Sequence, residues 1–312
     1  MSGFLKTWNT HKHVLTEGSV GTRLRNQKPD LPWEGSTGIA MAGDIYDDRK
    51  RQAIMDTHRA YADIAVAAGL PMIIETPTRR ANKERMAVSP YNSHSVIADN
   101  VDMMCQAQED CSHIYISGIM GCRGDAYSGK PGLSVEEGYA FHSWAVEVFA
   151  RTNVDLLYAA LMPTLPETLG WAKAAASTGL PYLISWSMDK NGCLLDGTPL
   201  YDAIAAIDDA TPHAPLAHVS NCIHPRFCHQ ALLQPFNRTK NVHTRFQGLS
   251  ANGAAMERDA LDDNAEICCD EPEVWVAAFQ ALYADFPLKL LGGCCGTEDA
   301  HIQALAAWAA GM

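Results

Sequence analysis

The chain reads as a single-domain α/β fold, a closed (β/α)8 TIM barrel over residues 1–312. Three observations predict it. Eight short runs rich in Val, Ile, Leu and Tyr recur along the sequence, each followed by a turn and then a stretch with helical apolar spacing. The length of 312 residues suits such a barrel, which takes roughly 250 residues plus insertions. The open doubly wound alternative needs a G-x-G-x-x-G turn after the first strand, and Gly18-Ser-Val-Gly21 has the wrong spacing.

Strands are expected at 14–17, 71–76, 113–118, 154–159, 182–185, 216–221, 244–249 and 289–292. Between and after them, helices are expected at 55–68, 93–107, 134–151, 165–177, 200–207, 226–233, 271–284 and 297–308. Ser134 ahead of Glu136 and Glu137, and Thr297 ahead of Glu298 and Asp299, have the form of N-caps followed by acids that suit the helix dipole. Residues 30–44, with glycine and proline, read as a long loop. No linker or charge block divides the chain, so one domain is expected.

A 47% hydrophobic composition at this length supplies a sizeable core and disfavours disorder. With 24 basic against 36 acidic side chains, the net charge of −12 argues against nucleic-acid and anionic-membrane partners. The first fifteen residues carry Lys6, His11, Lys12 and His13 without an apolar h-region, and no run is apolar enough to span a bilayer. A soluble, unexported, cytoplasmic protein is expected. In that reducing compartment, clustered cysteines read as metal ligands or catalytic thiols rather than disulfides. Cys105, Cys111, Cys122 and Cys193 are scattered and read as incidental.

The chemistry concentrates in Leu290-Leu-Gly-Gly-Cys-Cys-Gly-Thr297. Neighbouring side chains on a strand point to opposite faces, so Cys294 and Cys295 can converge only where the backbone leaves the strand, a departure that Gly292, Gly293 and Gly296 allow. A helix start at Thr297 favours thiolates there. Cys222 lies just past the sixth strand, whose end opens onto the same mouth as the eighth. Three sulfurs around a tetrahedral zinc leave one position open, the arrangement of a catalytic site. On spacing alone, His218, His224, His229 and Cys228 remain further possible donors. The Cys268-Cys269 pair reads as packing, and His11 and His13, ahead of the first strand, as surface residues.

Asn221-Cys222 with Pro225, together with Gly292-Gly-Cys-Cys-Gly-Thr297, resembles the zinc signature of the homocysteine S-methyltransferase family. Glu17-Gly18 with Gly21-Thr22, Ile74-Glu-Thr-Pro-Thr78, Pro181 to Ser185 and Leu195 to Leu200 extend the resemblance over most of the chain. It implies a barrel with Zn2+ held by Cys222, Cys294 and Cys295, and Glu17, Gly18, Thr76, Asn221 and Asn252 around the substrates. It further implies methyl transfer from a small onium donor, of S-methylmethionine, S-adenosylmethionine or betaine type, to a thiol. The zinc-activated acceptor thiol is the nucleophile, with no protein general base.

Three positions depart from the family pattern. Glu17 stands for its usual Asp, Asn252-Gly253 lacks a preceding Tyr-Pro, and Ala160 occupies the place of the glutamate that binds the amino group of homocysteine. Homocysteine is the expected acceptor. The alternatives are a thiol or selenol without an α-amine, a non-catalytic zinc or thiol protein with Cys228 as fourth ligand, and a zinc hydrolase. Trp33, Trp186 and Tyr46 are candidates to face an onium cation. Small molecules are the only partners expected, and nothing in the sequence specifies an oligomeric state.

Overall fold

Eight parallel strands close on themselves in chain order: β1 (Val14–Thr16), β2 (Met72–Glu75), β3 (Ile114–Gly121), β4 (Leu156–Met162), β5 (Tyr182–Trp186), β6 (Ala217–Asn221), β7 (Phe246–Ala251) and β8 (Leu290–Gly293). The last pairs with the first, Val14 opposite Leu290 and Leu15 opposite Leu291. The computed structural model describes residues 3–33, 38–108, 111–256 and 269–312.

Both faces of each strand are covered, which is why the strands read as near-continuous apolar runs. Inside the barrel Val14, Ile73, Tyr115, Leu156, Tyr158, Leu183, Val219 and Leu290 fill the lumen. Leu15, Ile74, Ile116, Leu157, Ile184 and Leu291 face outward into the helical layer. The N-terminal end is plugged by the helix Gly3–Thr10, where Phe4 packs on Tyr115 with ring centroids 5.1 Å apart and Thr7 Oγ1 lies 2.6 Å from the Tyr115 hydroxyl. Toward the opposite end the lining turns polar: Thr16 Oγ1 meets Ser250 Oγ at 3.0 Å and Ser185 donates to Asn221.

The helices differ from expectation mainly at polar stretches. Gly3–Thr10, Val20–Gln27, Met41–Asp44, Lys83–Val88 and Lys240–Arg245 were not anticipated, and Asp48–Ala68 begins well before residue 55. Asp47 caps that helix through the backbone N–H groups of Arg49 and Lys50. Met41–Asp44 falls within the stretch read as loop, of which residues 34–37 lie outside the described residues.

Ser134 does cap Val135–Phe149, in a reciprocal capping box with Glu137. Thr297 is not the final N-cap: its hydroxyl donates to the Cys294 carbonyl at 2.7 Å, and Glu298 caps Asp299–Ala310 instead. His13 is buried, packed edge-on against Tyr283, rather than on the surface; burial, then Lys12, lowers its pKa.

Candidate metal centre and substrate cavity

Two loops at the C-terminal mouth, after β6 and after β8, bring Cys222, Cys294 and Cys295 together, with their sulfurs within 4.8 Å of one another. Cys222 leaves β6 with φ +57°, a left-handed conformation uncommon for a residue with a Cβ, and is fixed by two bonds. Its N–H donates to the Ser250 carbonyl at 3.1 Å, and its carbonyl accepts from Asn252 Nδ2 at 3.2 Å. Cys294 and Cys295 follow β8 in a turn. Cys294 N–H donates to the Ala251 carbonyl at 2.7 Å, and Gly253 N–H to the Cys295 carbonyl at 2.9 Å.

The glycines around the pair divide their work. Gly296 takes φ +81° and turns the chain. Gly292 and Gly293 stay in β8, where a Cβ would overlap Thr16 Oγ1 or Thr297 Oγ1; they are needed for close approach rather than for dihedral freedom. Cys222 is buried, Cys294 half-buried and Cys295 exposed. Cys222 and Cys294 are joined as a disulfide, and Cys295 Sγ lies 3.8 Å from Cys222 Sγ. In reduced form the trio presents three soft donors, and among the described residues it is the one metal-competent cluster of its kind, with no fourth protein donor.

The other donors that spacing left open are engaged elsewhere. His218 lies 3.0 Å from Asp208, His229 2.7 Å from Asp285, and His224 caps its own helix while facing Asp270 at 3.3 Å. Cys228 is fully buried, and burial pushes its thiol up; Cys122 is likewise pushed up to about 12. Cys269 is exposed, while Cys268 lies outside the described residues.

A cavity of about 310 Å³ opens beside the sulfurs, at the lower end of the range for small-molecule sites. Glu17, Gly18, Thr76 and Asn221 line it as the sequence suggests. Asn252 does not: it sits behind Cys222, bonded to that residue's carbonyl and accepting from Trp275 Nε1 at 2.7 Å. Of the aromatic candidates Trp33 lines the cavity. Trp186 is fully buried and stacked on His218, and Tyr46 stacks on Tyr91. Tyr127, Glu75, His58, Arg79 and Arg80 also line it; of these only Glu75 belongs to a sequence motif, Ile74-Glu-Thr-Pro-Thr78.

The electrostatics centre on two carboxylates. Glu17 is buried, paired with His58 Nδ1, and its other oxygen accepts the Glu75 backbone N–H at 2.9 Å. Burial, and then the Glu17 charge, push the Glu75 carboxyl up to about 8. At the end of β4 a register shift against β5 falls between Ala159 and Met162, and Leu161 takes φ +56°. Ala160 is fully buried among the lumen residues, whereas Leu161 reaches the cavity. That strand therefore contributes no carboxylate to the site.

A barrel whose open mouth gathers three cysteine sulfurs beside a cavity of paired acids has the design of an enzyme for small-molecule substrates. The sequence profile of "Homocysteine S-methyltransferase" matches residues 14–309. Homocysteine S-methyltransferase 4 of Zea mays is 26% identical over 94% of this chain and 88% of its own length. Homocysteine S-methyltransferase of Escherichia coli is 26% identical over 94% of each. The crystal structure of the Escherichia coli homocysteine methyltransferase in its metallated form superposes with a TM-score of 0.73 at 21% identity, covering 96% of this chain and 97% of that one, a likeness of fold. The chain belongs to the homocysteine S-methyltransferase family and is a methyltransferase.

Proposed function

We propose that this protein is a zinc-dependent S-methyltransferase that moves a methyl group from a small onium donor to homocysteine. The observation that carries the proposal is the convergence of Cys222, Cys294 and Cys295 beside a carboxylate-lined cavity. Three thiolates without a fourth protein donor suit zinc with an open position. That a relative of this fold was solved in metallated form supports a metal-dependent reading. When bound, zinc supplies Lewis acidity that keeps the acceptor sulfur ionised near neutral pH.

The chain's own residues do the rest. Glu17, anchored by His58, is the carboxylate that receives an ammonium, and Glu75 beside it gives up its proton to solvent as that ammonium enters, taking the role of the carboxylate absent at the end of β4. Gly18 and Thr76 stand where the acceptor carboxylate is expected, and Trp33 and Tyr127 offer aromatic surface to the onium group. Transfer is a direct displacement: the acceptor sulfur forms a bond to the methyl carbon as the carbon–onium bond breaks, and the electron pair leaves with the donor. No general base is needed, because the thiol proton has already gone to solvent. Acceleration comes from holding the reacting atoms in line in a cavity sheltered from water. A site that works through three free thiols belongs in a reducing compartment, which favours the cytoplasm.

The test is methyl transfer by the reduced, zinc-loaded protein to homocysteine from S-methylmethionine, S-adenosylmethionine and glycine betaine in turn. Methionine formed from at least one donor, and lost in Cys295→Ala, is the expected result. Transfer at the wild-type rate by that variant would remove the metal from the reaction.

A further inference from the structure

The cavity carries guanidinium groups as well as acids. Arg79 and Arg80 follow β2 in a tightly bonded loop: Thr78 Oγ1 donates to the Ile119 carbonyl at 2.9 Å, Ala81 N–H to the Thr78 carbonyl at 2.8 Å, and Asn82 N–H to the Arg80 carbonyl at 2.9 Å. Gly121 N–H holds the Arg79 carbonyl at 3.0 Å, and a Cβ at Gly121 would come within 2.9 Å of the Arg79 stem, so β3 leaves room for that side chain. Both arginines line the cavity.

Neither guanidinium has a carboxylate ion-pair partner among the described residues, and Arg80 Nε is buried without a hydrogen bond. Of the nearby acids, Glu84 is committed to Arg123, Glu167 to His142 and the Arg123 N–H, and Glu17 to His58, while Glu75, which feels the Arg79 charge, is held toward its protonated form by burial and by Glu17. Arg85, packed beside them, has its pKa lowered by burial and then by the charge of Arg79. In a chain of net charge −12, uncompensated cations gathered at a cavity are the arrangement of an anion site.

We propose that Arg79 and Arg80 form an anion subsite of the cavity that takes the carboxylate of the methyl donor. The inference rests on the methyltransferase reading above and adds the donor's recognition group. It separates two charges of a zwitterionic donor: the onium centre toward the sulfurs and aromatic surface, the carboxylate toward the arginines.

The test dissects those charges with the full-length reduced, zinc-loaded protein. Binding of 3,3-dimethylbutyrate, which keeps a donor-like carboxylate without a cation, is measured by calorimetry. In parallel kcat/KM is measured for dimethylsulfoniopropionate and for trimethylsulfonium, a donor without a carboxylate. In Arg79→Met and Arg80→Met, checked for wild-type melting, 3,3-dimethylbutyrate is expected to bind about tenfold or more weakly, the loss of a charge-assisted hydrogen bond. The preference for dimethylsulfoniopropionate over trimethylsulfonium falls with it, and Arg79→Lys restores part of both.

Unchanged butyrate binding and donor preference in both variants would overturn the subsite. A rise confined to the homocysteine KM would instead give the arginines to the acceptor carboxylate, and equally overturn it. The calorimetric arm needs no chemistry, so absence of methyl transfer with butyrate binding intact would fault the reaction assignment and leave the subsite standing.

Discussion

Glu75 carries the sharpest consequence at the scale of one side chain. Its carboxyl holds a proton to about 8 in the folded protein, against an ordinary 4.5 once unfolded. Between those values the unfolded chain releases a proton that the folded chain retains, so wild-type stability falls as pH rises through that window and levels off above it. Glu75→Gln cannot ionise, and its melting temperature is expected to draw ahead of wild type between about pH 4.5 and 8, with the gap constant beyond. Parallel melting curves across that range would contradict the assignment.

The same substitution tests acceptor recognition. An ammonium that loses one of two acidic partners is expected to bind about tenfold or more weakly. Glu75→Gln should therefore raise the KM for homocysteine and leave that for its des-amino analogue, 4-mercaptobutyrate, where it was. Equal changes for both thiols would take amine recognition away from this residue. Ala160→Glu is the poorer probe, because position 160 faces the packed lumen and an added carboxylate there would be a buried, unpaired charge.

At the scale of elements, strands were legible because a parallel barrel demands apolar runs on both faces, and those runs are visible without neighbours. Where the reading slipped, the local signal was polar or the backbone irregular. The helix Val20–Gln27 offers Val20 and Leu24 as its only apolar side chains beyond glycine, so no periodic stripe announces it. The first turn of Asp48–Ala68 is wholly charged, from Asp48 to Arg51, and only the Asp47 cap marks the start. Strand β4 continues past residue 159 through an irregular register, which no pattern of side chains reveals. The cysteine trio was readable because its glycines are functionally placed, but the left-handed turn at Cys222, and Glu75 as a second acid, depend on contacts between β1, β2 and the helix bearing His58.

One cap that the sequence does announce can be weighed directly. Ser134 accepts the Glu137 N–H at 3.2 Å while Glu137 Oε2 accepts the Ser134 N–H at 2.9 Å. Ser134→Ala is expected to lower stability by about 1 kcal/mol in chemical denaturation, with kcat unchanged because the cap lies outside the cavity. Loss of activity at full stability would place this helix in the reaction.

For the whole molecule the question is whether metal binding and folding are one event. In a small zinc domain they are, because no core survives without the metal. Here the lumen and the helical layer form two continuous apolar cores, and the barrel closes through backbone pairing of β8 with β1 that involves none of the three cysteines. Their loops are held in addition by backbone bonds from Ser250, Ala251 and Gly253, so the mouth keeps its shape through the chain itself. Chelation of the reduced protein should therefore abolish methyl transfer while leaving far-ultraviolet circular dichroism and cooperative melting in place, and returning one equivalent of zinc should restore activity. Oxidation that joins Cys222 to Cys294 removes two donors at once, so an oxidised sample should take up no zinc until a thiol reductant is added. Cooperative unfolding on chelation would show instead that the metal holds the barrel together, and full zinc uptake by the oxidised protein would show that the cysteine trio is not where it binds.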